Sequence, residues 1–457
     1  MNGTRFIGGS MVVVAVGLLM VEGLVAQELN DQITFTRDVA PLLQENCQTC
    51  HRDGGFGPMP LVTYDEAKLF APLIKMKVHS RQMPPWPVDK TLGIQDFEND
   101  WSLTDEEIET IEGWVDSGAP EGNPRDMPPA IEWPDFTDSW RYTEVFGRPP
   151  DVIVESPTYL VKPNGQDQWP NLTATWDGVT TKRLARAIEA RPKNPQTRYV
   201  FHHGGPTLIG DNGERTGLMN SPSGKVGEIW PDDAGKVIYP GSQVNFGMHF
   251  FPIGEEVDAS VQWGLWLYPE GEEPEFETGE IQFRADQSTG AGGFPGHDQQ
   301  LARRADLIIP PNGQAMQTGT YVLDQPARIH SLRGHMHSRG KYQMVEAIYP
   351  DGRHEIINKL NWDHGWHTAF MYQEHARPLL PKGTVLIMTS IWDNTENNRY
   401  NHDPDQWVFA GSRTIDEMSH IWIGITYFGG SEDYFQGLLD DRERFLTQQQ
   451  IATATGN

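Results

Sequence analysis

Cys47, Cys50 and His51 have the spacing CxxCH, the most specific chemical signal in the chain. In this spacing the two thiols add to the vinyl groups of a haem, and the adjacent imidazole ligates the iron from one side. The alternatives are a disulfide and half of a zinc site. Because the sequence has no other cysteine, the motif predicts one covalently bound haem c per chain.

A haem iron bound in this way needs a ligand on its other side, and one methionine stands in a stiff setting. Met83 is followed by the run Pro84-Pro85-Trp86-Pro87, in which the fixed φ angles of proline hold the loop in place. We predict Met83 as the distal ligand, and thioether ligation would raise the reduction potential of the haem. The other candidates are Met59, Met76 and His79.

Two helical patterns flank the haem motif. Residues 35–45 carry apolar side chains at helical spacing, and Thr104 and Glu107 form a capping box before Ile108, Ile111 and Trp114. Residues 32–127 resemble a small class I cytochrome c. The run at Met83 resembles the axial-ligand loop of cytochrome c domains that are fused to larger bacterial enzymes. The resemblance implies a small all-α haem domain.

Histidines dominate the second half of the chain: 13 of the 15 follow residue 200. His335 and His337 form an HxH, whose alternation would place both imidazoles on one face of a strand. Such a pair suits a metal ion. The other candidates are His202 and His203, which close a predicted strand starting at Tyr199, His249 in a second strand, and Met418 before a further strand.

The types of these side chains favour copper. Imidazole suits both oxidation states of copper, and the soft thioether of Met418 favours Cu(I). Zinc could take three histidines and a water, but a thioether is a poor zinc ligand. The only thiols are committed to haem, which excludes a blue-copper site.

In their order along the chain, these six residues resemble the metal ligands of the copper type II monooxygenases, the family of the peptidylglycine and dopamine hydroxylating enzymes. The resemblance covers about residues 151–428. It implies two coppers per chain. The electron-storing copper would be held by His202, His203 and His249, and the oxygen-activating copper by His335, His337 and Met418, which would be the catalytic residues.

The chain also departs from that family. The animal enzymes carry several disulfides, and this chain can have none there. Arg333 matches the arginine that holds a peptide carboxylate, but the Asn and Tyr that assist it are replaced by His420 and Trp422. Substrate identity therefore does not carry over, and Arg333 is either a substrate contact or a structural ion pair. His330, His364, His367 and His402 are expected to be supporting or surface groups, as is His420.

Short alternating or β-branched runs between Gly, Pro and Asn turns recur from residue 151 onwards, which is typical of all-β sandwiches. Pro350-Asp351-Gly352-Arg353 predicts a hairpin, and residues 391–398 predict a structural polar turn. We predict a multidomain chain: a small all-α cytochrome c domain followed by two all-β antiparallel, jelly-roll-like sandwiches. The ranges are signal peptide 1–26, cytochrome c domain 32–127, linker 128–150, sandwiches 151–295 and 296–440, with a boundary near 291–305, and tail 441–457.

The N-terminus and the charge balance bear on location and partners. Arg5, an apolar run over 11–21 and a cleavage pattern at Leu24-Val25-Ala26 predict a secretory signal, hence a periplasmic or secreted protein; an uncleaved membrane anchor is the alternative. The net charge is -27, which argues against a nucleic-acid partner.

These features lead to a functional hypothesis, a copper monooxygenase that hydroxylates a C–H bond with electrons relayed from the haem. Its partners would be O2, an electron donor that is a cytochrome or a small reductant such as ascorbate, and an unknown small-molecule or peptide substrate. The alternatives are a non-catalytic electron-transfer or copper-binding protein and an oxidase that does not hydroxylate carbon.

Overall fold

The structure is a computed structural model that describes residues 32–55, 57–133, 139–165, 167–219, 226–241, 243–284, 307–411 and 413–455. The chain divides into two compact units. Of the described residues, unit 1 contains those up to Trp86 together with Trp101–Glu132, and unit 2 contains Pro87–Asp100 and those from Trp133 onwards. The predicted signal segment 1–26 and the predicted boundary at 291–305 lie outside the described residues.

Unit 1 is built from helices. A π-helical turn, Phe35–Val39, leads into α1 (Ala40–Asn46), and α2 (Tyr64–His79), α3 (Asp105–Asp116) and a 3-10 turn (Pro124–Asp126) follow. The core packs Phe35, Leu43, Ile74, Ile111 and Trp114 together.

The capping box at Thr104 is present, with Glu107 closing it, and the predicted helix α3 is confirmed. Helix α2 was not predicted, although Thr63 and Glu66 form a second capping box at its start.

Unit 2 is dominated by strands, as predicted for this part of the chain. Its helices are α4 (Tyr142–Phe146), α5 (Thr197–Val200), a 3-10 turn (Glu374–Ala376) and α6 (Glu432–Thr455). The strands are β1 (Val88–Gly93), β2 (Val152–Glu155), β3 (Tyr159–Val161), β4 (Asn171–Ala174), β5 (Arg183–Pro192), β6 (Phe201–Ile209), β7 (Arg215–Gly217), β8 (Gly227–Ile229), β9 (Ala234–Ile238), β10 (Gln243–Phe250), β11 (Val257–Ala259), β12 (Val261–Leu267), β13 (Phe276–Arg284), β14 (Ile308–Ile309), β15 (Gln314–Val322), β16 (Ala327–His335), β17 (Gly340–Ile348), β18 (His354–Asn361), β19 (Phe370–Met371), β20 (Leu379–Leu380), β21 (Val385–Asp393), β22 (Val408–Phe409) and β23 (His420–Tyr427).

These strands form three larger sheets and two strand pairs. One sheet has the order β1-β18-β17-β21-β15, and a second has the order β4-β10-β6-β7. The largest runs β19-β16-β23-β13-β9-β5-β12-β2, and β20 pairs with β16 and β8 with β5 outside this order. Pairing is antiparallel except between β9 and β13. The hairpin predicted at residues 350–353 joins β17 to β18 and is confirmed.

The largest sheet joins the two predicted sandwiches. Strand β13 lies in the predicted range 151–295 and β23 in 296–440, yet they pair from Thr278↔Thr426 to Arg284↔His420. The predicted ranges therefore do not correspond to two separate sheets. The predicted tail at 441 also differs, because α6 already begins at Glu432.

Residues 87–100 belong to unit 2, although the predicted cytochrome c domain, 32–127, includes them. Strand β1 pairs with β18, and Phe97 is buried against Tyr372 with ring centroids 5.1 Å apart. These contacts with residues far along the chain place the segment 87–100 in unit 2, although its neighbours in sequence belong to unit 1. Of the predicted linker, 128–150, the part from Trp133 onwards also belongs to unit 2, where Trp140 packs against Trp266.

The described residues contain no helix that combines the length and the apolar character needed to cross a membrane.

Candidate metal centres

His202, His203 and His249 meet where β6 begins and β10 ends. His249 pairs directly with His203 in the antiparallel register. The prediction that His202 and His203 close a strand from Tyr199 is wrong, because α5 occupies Thr197–Val200 and the two histidines open β6 instead. Their three ring centroids lie 5.0 to 5.1 Å apart.

The nitrogen atoms of this group suit a metal ion. His249 Nδ1 lies 3.2 Å from His202 Nδ1 and 3.3 Å from His203 Nε2. Ligands on a tetrahedral ion with bonds of about 2.0 Å are roughly 3.3 Å apart. Burial lowers the pKa of His202 and of His249 to about 3 and that of His203 well below its usual value. The imidazoles are therefore neutral and have lone pairs to offer, so the group could hold a metal ion.

Two neighbours fix the ring of His249. Trp169 stacks on it with centroids 3.6 Å apart, and Asp167 Oδ2 lies 3.2 Å from His249 Nε2, at an angle outside hydrogen-bond range. Because Nε2 faces this carboxylate, Nδ1 is left for the interior of the group.

The second predicted set lies at the end of β16. His335 is the last residue of this strand, and His337 follows just beyond it, so the expected shared strand face is replaced by a strand end. Both are buried, with ring centroids 5.3 Å apart. His337 Nδ1 lies 3.0 Å from the carbonyl oxygen of Asp416 and donates to it, which leaves Nε2 as the ligating nitrogen.

Met418 lies half-buried in the turn before β23, next to the fully buried Glu417. The Glu417 carboxylate accepts hydrogen bonds from the backbone N–H groups of His337 and Arg339, at 2.9 and 2.6 Å, and from Trp392 Nε1 at 3.1 Å. Burial raises the pKa of Glu417 to about 7, although its backbone donors act in the opposite direction. One carboxylate thus joins the two chain segments that carry the second set.

One cavity of about 760 Å³ brings members of the two sets together. His203 lines it from the first set, and His335, His337 and Met418 line it from the second. The rest of its wall is mixed, with apolar, amide, basic and acidic side chains that include Trp169, Leu307, Ile415, Trp422, Gln282, Gln317, Arg284, Arg413, Asp167 and Glu417.

Arg333 is buried on β16, outside the residues that line this cavity. Its guanidinium lies 3.9 Å from the ring centroid of Trp422, and Nη2 lies 3.6 Å from Glu280 Oε1. Burial lowers the pKa of Arg333, and Glu280 opposes that shift. These contacts match the structural ion pair that the sequence left open as one alternative.

The CxxCH motif follows α1 in unit 1. No disulfide links Cys47 and Cys50. His51 Nδ1 lies 3.0 Å from the carbonyl oxygen of Met59 and donates to it, which leaves Nε2 for an iron. Burial raises the pKa of the Cys47 thiol to about 12. These residues fit covalent attachment of a haem.

The four candidate distal ligands differ in exposure. Met76 is 54% exposed, and His79 is exposed and held by Glu112 Oε1 at 2.7 Å. Met59 and Met83 are half-buried. Their exposure therefore argues against Met76 and His79 as the distal ligand of the haem.

Three histidines that the sequence gave no metal role lie beside the predicted ligands or beside one another. His367 is buried with its ring 5.0 Å from that of His202 and 5.3 Å from that of His335, and His364 is its neighbour at 6.3 Å. His420 stacks on His335 at 4.7 Å. The HxxH spacing of His364 and His367 was a weak signal, because it falls in a loop between β18 and β19.

No protein-family model matches the chain, and no curated protein matches it. Solved structures with weak similarity include an arginine-to-alanine variant of Bacillus subtilis oxalate decarboxylase (9% identity, 69% of this chain and 87% of that chain, TM-score 0.15). A subviral particle of infectious bursal disease virus gives 9% identity over 69% and 92%, with a TM-score of 0.15. Procruciferin of Brassica napus gives 9% over 59% and 84%, with a TM-score of 0.14. Similarity this low supports no inference about this chain.

Proposed function

We propose that this protein is an exported copper monooxygenase with its own haem c module, in which a small all-α cytochrome c domain precedes the copper-binding β-sandwich part. The observation that carries the proposal is the shared cavity, lined by His203, His335, His337 and Met418. A three-imidazole set and a set of two imidazoles with a thioether are both ligand sets that copper prefers. Their placement around one cavity suits a reaction that needs an electron store beside an oxygen-activating centre.

The overall reaction would be RH + O2 + 2 e⁻ + 2 H⁺ → ROH + H2O. Copper, when bound, supplies the chemistry of O2 reduction and C–H oxidation. His202, His203 and His249 would hold the storage ion, and His335, His337 and Met418 the oxygen-activating ion. The haem attached at Cys47 and Cys50 would take electrons from an external donor, with ascorbate as an alternative source.

The residues of the chain itself prepare the second site. The Asp416 carbonyl keeps the proton of His337 on Nδ1, and Glu417 holds the backbone of His337 in place. The cavity wall combines Trp169, Trp422 and Ile415 with amide and guanidinium groups. It would take an organic substrate with an apolar body and polar ends, and the apolar side chains would exclude water from the reacting bond.

Metal content and reoxidation test the proposal. Purified protein should contain one haem and two coppers per chain, and the fully reduced protein should be reoxidised by O2 in a reaction that Met418→Ala slows at least tenfold, because the thioether ligand is lost. Met316→Ala is the matched control, since Met316 lies 66% exposed on β15.

The product distinguishes the competing functions. With ¹⁸O2 and an extract of small molecules and peptides, a monooxygenase adds one labelled oxygen atom to a substrate in a Met418-dependent way. Copper that binds but does not react with O2 would indicate a non-catalytic copper or electron-transfer protein. O2 consumption without labelled product would indicate an oxidase.

A further inference from the structure

Trp169 lies in the segment between β3 and β4, beside the histidine group that forms the first site. The first site consists of His202, His203 and His249. Gln168, the residue before Trp169, exchanges two backbone hydrogen bonds with Phe250, at 2.9 and 3.0 Å. Because Phe250 directly follows His249, these bonds hold the segment against the end of β10. The backbone therefore fixes the place of Trp169 beside the first site.

The indole of Trp169 is stacked on one member of the first site. Its ring centroid lies 3.6 Å from that of His249, with 13° between the two planes, so that two π-systems meet face to face. The indole also meets His203 edge on, with centroids 5.4 Å apart and 67° between the planes, within the usual range of aromatic contacts. One side chain thus contacts two of the three predicted ligands.

Trp169 is far more exposed than the ring it covers. The side chain is 54% exposed and lines the cavity, whereas His249 beneath it is 3% exposed. Phe251, His335 and His367 also contact rings of the first site. However, Phe251 is half-buried and the two histidines are buried. A molecule in solution can therefore reach the indole more readily than these other rings.

We propose that Trp169 is the electron-entry residue of the first site. A one-electron donor, either a haem edge or a small reductant, contacts the exposed indole, and one electron crosses the stacked rings of Trp169 and His249. The donor is oxidised by one electron and Cu(II) is reduced to Cu(I), while Trp169 provides the path and is not itself oxidised. This inference rests on the proposed function, since it takes copper as the ion of the first site.

The experiment isolates the first site and needs no turnover. In a His337→Ala/Met418→Ala background the second site lacks two of its three ligands, and the protein should retain one copper per chain. Ascorbate or a reduced soluble cytochrome c is mixed with the Cu(II) protein without O2, and rapid-freeze electron paramagnetic resonance follows the loss of Cu(II). Adding Trp169→Leu, which keeps His249 covered with saturated carbon, should slow reduction roughly tenfold, equivalent to about 1.4 kcal/mol in the activation barrier.

The copper affinity and the copper reduction potential should stay unchanged in the Trp169→Leu protein, whereas a merely structural role of the indole would alter them. Trp169→Phe keeps an aromatic ring on His249 and should retain most of the rate. Slowing with only one of the two donors would identify the class of donor that uses the indole.

Trp407→Leu is the matched control, because Trp407 is 57% exposed and lies outside the residues that line the cavity. An unchanged reduction rate in the Trp169→Leu protein, with copper bound, would overturn the inference and leave the proposed function standing. Loss of copper from both Trp169 variants would overturn it as well, because the indole would then hold the site together instead of passing electrons. Absence of copper from the wild-type protein would instead overturn the proposed function.

Discussion

The carboxylate of Glu417 accepts hydrogen bonds both from the strand end that carries the HxH motif and from the turn that carries Met418. It is fully buried, and its oxygens accept from the backbone of His337, Arg339 and Met418. The side chain of Trp392 supplies a fourth donor. Because a carboxylate is an acceptor only, all four donors are satisfied at one point. Glu417 therefore acts on the second site by positioning its ligands.

We expect Glu417→Gln to destabilise the protein by about 2 kcal/mol, because the amide replaces an acceptor with a donor among buried N–H groups. The second copper should also bind roughly tenfold more weakly, since its ligands lose their support. Urea unfolding and copper competition measure the two effects. Glu396→Gln, at an exposed site nearby, is the control. Unchanged copper affinity would show that the loop holds Met418 without Glu417.

At this scale the sequence identified the six candidate ligands because their order and types form a recognisable pattern. It placed His367 only among the supporting or surface groups, because the position of this histidine depends on the path of the loop between β18 and β19. Local periodicity carries no information about such a path. The two alternatives for Arg333 also needed the structure, since only the fold brings Glu280 within 3.6 Å.

Among the elements, β6 and β10 must approach closely so that His203 and His249 can meet. Gly204, the residue after His203, has a φ of +146°, and a β-carbon there would lie 2.3 Å from the carbonyl oxygen of Gly247. A residue with a side chain would be strained and would push the two strands apart.

Gly204→Ala should therefore destabilise the protein by about 2 kcal/mol and weaken copper at the first site, with the second site unaffected. Gly247→Ala is the matched control on the opposite strand, because a β-carbon at Gly247 meets nothing within 4 Å. Thermal unfolding and copper titration check both variants. Equal effects from the two substitutions would contradict the steric argument.

Strand β1 is held to β18 in part by Asp89, whose carboxylate binds the Thr91 hydroxyl at 2.6 Å and Lys359 Nζ at 2.9 Å. These hydrogen bonds lower the pKa of Asp89 to about 2. A carboxyl group whose pKa is lowered by folding stabilises the protein above its unfolded pKa of about 3.9, and this contribution is lost as the pH falls through 2.

We expect Asp89→Asn to be less stable than the wild type by up to about 1 kcal/mol at pH 7, a small value because the pair is partly solvated. The difference should shrink between pH 4 and pH 2. Urea unfolding at several pH values measures it. A difference that stays constant with pH would mean that Asp89 acts through packing.

Strands with regular alternation were predictable because alternation of apolar and polar residues is local, as in β21, where buried and half-buried residues alternate throughout. The place of β1 in unit 2 was not predictable, because its six residues show no such alternation. Its partner β18 also lies more than 250 positions further along the chain. The sequence also did not predict that the largest sheet is continuous, because the pairing of β13 with β23 is a long-range contact.

At the scale of the whole molecule, the helical and β-rich units divide the predicted cofactors between them. The CxxCH motif lies in unit 1, and both histidine sets lie in unit 2. The chain crosses between the units three times, at residues 86–87, 100–101 and 132–133. The predicted haem motif and the two histidine sets thus belong to one polypeptide, as the proposed function requires.

If the haem feeds the copper ions, loss of its distal ligand should slow copper reduction while leaving copper bound. We expect Met83→Ala to lower the haem potential, because a thioether ligand raises it, so that transfer from a donor to the haem becomes less favourable. With a reduced soluble cytochrome c as donor, stopped-flow absorbance and rapid-freeze electron paramagnetic resonance should show copper reduction slowed at least tenfold. Met76→Ala, at an exposed site in the same unit, should match the wild type. Unchanged copper reduction in Met83→Ala, with the haem potential lowered, would mean that electrons reach the copper ions by a route that bypasses the haem.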